Sequence, residues 1–84
     1  MYQVMIVDDE PMAASLIVNI IKRKYSNFDI MGTAYDGEEA LELMEKKGES
    51  DVLITDIQMP VMNGLKLVEE TKKRYPEVLS VIVS

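Results

Sequence analysis

Cysteine and histidine are both absent from the 84 residues. Without cysteine there is no disulfide framework, no thiolate nucleophile and no zinc–thiolate site. Without histidine the commonest general base and the commonest transition-metal ligand are gone. Any chemistry must therefore run on Asp, Glu, Ser, Thr, Tyr or Lys. Basic residues are also scarce, with 9 Lys and Arg against 15 Asp and Glu and a net charge of −6. No broad basic face can form from these, so direct nucleic-acid binding by this segment is not expected. No apolar run approaches the roughly 20 residues of a membrane helix. Met1-Tyr2-Gln3-Val4 is not a basic leader followed by a long apolar stretch. A cytoplasmic protein of one small domain, with no membrane partner, is the expectation.

What is present alternates between strand and helix, with no repeat, low-complexity tract or linker. Val4 to Val7 is an apolar run short enough for a buried strand. Pro11 suits the first position of a helix, and Asp9 or Glu10 is placed to cap its free amides. Met12, Leu16, Ile17, Ile20, Ile21 and Tyr25 recur at helical spacing and predict an inward stripe through about Tyr25. Phe28 to Ala34 is a second strand, interrupted by Asp29 and Gly32. After the Asp36-Gly37 turn signal, Glu38 to Lys47 reads as a helix with acids early and lysines late, which suits its dipole. Ala40, Leu41 and Met44 are expected to face inward, and Gly48 to end it. Val52 to Thr55 is a third strand. A helix from about Gly64 to Tyr75 follows, with Leu65, Val68, Thr71 and Tyr75 on its inner side, until Pro76 blocks it. Val78 to Ser84 is the fourth strand. The order β-α-β-α-β-α-β, with helix-length crossovers, predicts an α/β fold with a parallel sheet and helices on both faces.

The acids at the strand ends are the chemical signal. The first apolar run ends in Asp8-Asp9 and the third strand delivers Asp56. Parallel strands of an open α/β sheet bring their carboxyl ends to one edge, where such folds bind ligands. Three carboxylates there repel one another unless a cation intervenes, and Mg²⁺ is the ordinary hard-oxygen candidate. Asp56 is suited to be a nucleophile, since a carboxylate attacks phosphorus to form an acyl phosphate. Asp9 and Asp56 are expected to hold Mg²⁺ directly, Asp8 through a water, and Gln58 through its backbone carbonyl. Ser84, ending the fourth strand, is placed to hydrogen-bond a phosphoryl oxygen. The seven methionines, Met59 and Met62 among them, read as core and loop filler. Lys22-Arg23-Lys24 reads as a solvated helix end. Asn63-Gly64 reads as a turn into a helix, since no Gly-x-x-x-x-Gly-Lys pattern is present.

Four pieces of the chain carry a family resemblance. They are Val4-Met5-Ile6-Val7-Asp8-Asp9-Glu10-Pro11; Asp36-Gly37-Glu38-Glu39-Ala40; Asp56-Ile57-Gln58-Met59-Pro60 with Asn63-Gly64; and Val81-Ile82-Val83-Ser84. In this order and at these separations they resemble the receiver domain of two-component response regulators over the whole chain. The resemblance implies a flavodoxin-like, CheY-like doubly wound sheet of strand order 2-1-3-4. It implies that Asp56 is the phosphoacceptor, Asp9 a direct and Asp8 an indirect Mg²⁺ ligand, and Ser84 the hydroxyl that senses the phosphoryl group. It also implies a phosphohistidine donor on a sensor histidine kinase and a downstream output such as transcription. The wording around Asp56 and Tyr75-Pro76 is similar to regulators with AraC-type DNA-binding outputs.

Receivers have five strands and five helices, so residues 1–84 read as the N-terminal part of one receiver, without the last helix, strand and helix. The family's fifth-strand lysine then has no counterpart, since Lys46, Lys47 and Lys66 fall in helices. Strand four becomes an open apolar edge, and self-association through it is expected. Two other functions compete with this reading. An aspartyl-phosphate phosphatase or phosphotransferase that resembles the haloacid dehalogenases needs a second Asp two residues after the nucleophile, where Gln58 stands. A receiver-like dimerisation module without phosphorylation would leave the acid trio without a task.

Overall fold

In the computed structural model, residues 1–59 and 61–83 are described, and the seven elements follow the expected order. They are β1 (Tyr2–Val7), α1 (Pro11–Lys24), β2 (Phe28–Ala34), α2 (Gly37–Lys47), β3 (Val52–Asp56), α3 (Gly64–Arg74) and β4 (Leu79–Val83). The strands form one parallel sheet in the order β2-β1-β3-β4, the flavodoxin-like order expected. Ser84, the expected phosphoryl-sensing hydroxyl, lies outside the described residues.

β1 is central, and its apolar run is buried on both faces, as Val4, Met5, Ile6 and Val7 require. One face of the sheet carries Met5, Val7, Ala34 and Leu53 against Ala40, Leu41 and Met44 of α2 and Leu67 of α3. The other face carries Val4 and Ile6 against Ala14 and Ile21 of α1, with Val52 and Ile54 half-buried beside them. β2 runs through Asp29 and Gly32 as a strand, and its register to β1 slips where Met31 is skipped. A bulge there absorbs the one residue that the pairing cannot match.

The ends of the helices have visible causes. Asp36 caps α2 by accepting the Glu39 amide at 2.8 Å, while Glu39 Oε1 takes the N–H of Tyr35. Asn63 caps α3 by accepting the amide of Lys66 at 2.9 Å. Gly48 ends α2 at φ 96°, a conformation open to glycine and costly for other residues. α1 differs from the expectation. Glu10 is its N-cap residue but makes no side-chain cap, and Asp8 accepts the Glu10 amide instead, at 2.9 Å.

Two inward stripes also differ from the sequence reading. On α1 the residues facing the sheet are Ala14, Ile17, Val18 and Ile21. Met12 is 84% exposed and Leu16 61%, with Ile20 and Tyr25 exposed as well. Apolar residues cover more than half of α1's circumference, and the small Ala14 lets the helix settle close to β1, which turns Met12 and Leu16 outward. On α3, Leu67 is fully buried and Leu65 lies 59% exposed, so the inner face is Leu67 and Thr71 with Val68 and Tyr75 at its margins. Along β4, Leu79, Val81, Ile82 and Val83 are all exposed.

Candidate functional site: an acid cluster at the sheet edge

β1 and β3 are neighbours in register, Val7 opposite Thr55, so the residues that follow them emerge side by side. One carboxylate oxygen each from Asp8, Asp9 and Asp56 lies within 4.8 Å of the others. Asp8 is buried, Asp56 half-buried and Asp9 exposed, giving the cluster a closed floor and an open mouth. The amide of Asp8 donates to the Ala34 carbonyl at 3.0 Å, which extends the β1–β2 ladder to the acid itself. Asp56 closes β3, and its Oδ1 accepts the N–H of Ile57 at 2.8 Å.

The electrostatics of the cluster favour a cation. Among the described residues every ion pair lies along α3, joining Lys66, Lys73 and Arg74 to Glu69 and Glu70. None brings a Lys or Arg to the three acids. The donor set is oxygen alone, the kind that Mg²⁺ takes at about 2.0–2.1 Å. Oxygens on opposite sides of such an ion are about 4.2 Å apart. A span of up to 4.8 Å is of the same order, so the three acids stand close enough to share one ion. The three residues fit a divalent ion.

The loop between β3 and α3 borders the cluster, and several of its features escaped the sequence reading. Gln58 lies exposed two residues beyond Asp56, while Met59 turns into the core between α2 and α3. Val61 has φ 69°, a left-handed conformation that is strained for a β-branched residue. Met62 packs so closely over Gly37 that a Cβ there would lie 2.8–2.9 Å from its side chain. Gly64, at the start of α3, stands directly against the backbone of Asp56. Thr55 Oγ1 donates to the Asp56 carbonyl at 3.0 Å. Asn63-Gly64 signals only a turn in sequence, because contact between segments several residues apart leaves no local pattern.

Comparison with known proteins agrees with this geometry. The response regulator receiver domain family model matches residues 4–84. The transcriptional regulatory protein DegU of Brevibacillus brevis is 33% identical over 98% of this chain and 34% of its own length. The first curated relatives are much longer, and the chain spans between 23% and 38% of their length. Among solved structures, a two-component AraC transcriptional regulator from Clostridium phytofermentans superposes with a TM-score of 0.86 at 33% identity. That match covers 98% of this chain and 65% of the regulator. The Borrelia burgdorferi CheX–CheY–BeF₃–Mg²⁺ complex gives the same TM-score at 27% identity, over 96% of this chain and 60% of the other. With sequence, strand order and acid cluster in agreement, the chain belongs to the response regulator receiver domain family.

Proposed function

We propose that Asp56 accepts a phosphoryl group from a phosphohistidine on a sensor histidine kinase, and that the chain serves as the switch module of a two-component system. The observation that carries this reading is the convergence of Asp8, Asp9 and Asp56 at the carboxyl edge of the sheet, with no Lys or Arg paired to them among the described residues. Asp9 and Asp56 would hold Mg²⁺ directly, with the backbone carbonyl of Gln58, and Asp8 would hold it through a water. Such an ion would supply the positive charge that an anionic phosphoryl group needs in an acidic pocket.

An Asp56 carboxylate oxygen forms the new P–O bond as the P–N bond to the donor imidazole breaks. The electron pair leaves with the imidazole nitrogen, which is reprotonated. Little covalent help is asked of the other residues, so positioning and charge carry the step. The Ile57 N–H on Asp56 Oδ1 orients the carboxylate for attack by its other oxygen. The Ser84 hydroxyl is assigned to the phosphoryl oxygens. The module acts on itself rather than turning over a substrate.

Transcription is the proposed output, supported by the names of DegU and the Clostridium regulator. The cytoplasm is the proposed location, in keeping with the absence, among the described residues, of any helix long and apolar enough to cross a membrane. Residues 1–84 form part of one receiver unit that does not itself contact nucleic acid, and they self-associate through the β4 edge. Phosphoryl transfer from acetyl phosphate to the parent and to Asp56→Asn tests the central assignment.

A further inference from the structure

Gly64 is the first residue of α3, and glycine is among the least favourable helix residues. Its conformation does not call for glycine, because among the described glycines only Gly48 has a positive φ. Space does. A Cβ on Gly64 would overlap the carbonyl oxygen of Asp56, and would lie 2.9 Å from its carbonyl carbon and 3.0 Å from the Ile57 Cα. All three are backbone atoms, so none can swing aside as the tip of a side chain does. The same two peptide units are held from other directions. The Gly64 N–H donates to the Ile57 carbonyl at 2.7 Å, and Thr55 Oγ1 donates to the Asp56 carbonyl at 3.0 Å. The Ile57 N–H then fixes Asp56 Oδ1 at 2.8 Å.

We infer that Gly64 is a positioning residue: the close approach of α3 to the Asp56 carbonyl sets where the Asp56 carboxylate stands relative to Asp8 and Asp9. The backbone shift at residue 56 that relieves this overlap would pass to the carboxylate, because the Ile57 amide holds one of its oxygens to the same chain. Asp8 and Asp9 follow a different strand and would not move with it. The inference rests on the acid cluster being the Mg²⁺ site.

The test is Gly64→Ala, titrated with Mg²⁺ alone and followed by the amide resonances of Asp9, Asp56 and Ile57. The thermal midpoint of the metal-free protein is measured alongside. Removing groups that orient a metal ligand typically weakens affinity about 10–100-fold, and a loss of about tenfold or more is expected in a variant that keeps its helical signal. A folded variant with the parental affinity overturns the inference. If Gly64→Ala does not fold, Thr55→Val decides. It nearly preserves shape and removes only the Oγ1 bond to the Asp56 carbonyl, and weaker Mg²⁺ binding is expected; unchanged binding overturns the inference. A parent that binds no Mg²⁺ overturns the acid-cluster reading and this inference together, whereas a binding parent and an equally binding variant overturn only the role of Gly64.

Discussion

The carboxylate of Asp8 accepts the backbone N–H of Glu10 at 2.9 Å, so one of its oxygens already serves the start of α1. Asp9 beside it is exposed and makes no such bond among the described side-chain hydrogen bonds. The two neighbours should therefore separate under mutation. Asp8→Ala loses a cap-like bond and should lower the stability of the metal-free protein by about 0.5–2 kcal/mol. Asp9→Ala relieves repulsion among three acids and should leave metal-free stability unchanged or higher, while abolishing the stabilisation by Mg²⁺ expected of the parent. Urea unfolding with and without Mg²⁺ reads both effects. Equal destabilisation by the two changes would contradict the division of labour.

On α3 the contrast is between Leu67, fully buried, and Leu65, 59% exposed two residues earlier. Leu67→Ala opens a cavity between α3 and the sheet and should cost about 2–5 kcal/mol. Leu65→Ala should stay within about 0.5 kcal/mol of the parent. Chemical denaturation of the two variants checks the orientation of the helix.

Much of this fold is legible in the residues. The strands announce themselves as apolar runs, the helices by periodicity, and Asp36, Gly48 and Pro76 by the turns and ends they favour. The acid trio is legible for the same reason, since each acid directly follows or closes an apolar run that parallel topology aligns. What the sequence hides is the choice of face. α1 offers two adjacent apolar stripes, and only packing on β1 and β2 selects Ala14 and Val18 over Met12 and Leu16. The contact of Gly64 with Asp56 is hidden more deeply, because it depends on how α3 returns over the end of β3.

Lys66 donates to Glu69 at 3.1 Å, and this bond, with the attraction between the charges, holds the Glu69 carboxyl below its ordinary pKa. The same bond and the charges of Glu69 and Glu70 raise Lys66. Both groups are exposed, so the effect is small and screened by salt. A lowered acid contributes stability above its unfolded pKa and loses it as pH falls through the folded value. A raised base contributes below its unfolded pKa and loses it as pH rises through the folded value. Parent and Glu69→Gln should thus converge in acid and differ slightly near neutrality, with the difference fading again at strongly alkaline pH. Thermal midpoints across pH at low salt test this; a difference that grows in acid would contradict it.

The β4 edge presents Leu79, Val81, Ile82 and Val83 without a charged residue among Leu79–Val83. An open strand of this composition is a template for pairing with another chain. Sedimentation of the 84-residue chain should show mass rising with concentration, and Val81→Lys should suppress the rise. A compact monomer at high concentration would exclude the edge as an interface between copies.

The central claim is that Asp56 takes the phosphoryl group. Intact mass after incubation with Mg²⁺ and acetyl phosphate tests it most directly, with Asp56→Asn treated alongside. The account predicts a gain of one phosphoryl group in the parent and none in the variant. A parent that stays unmodified, or a variant that gains the same mass, would contradict it.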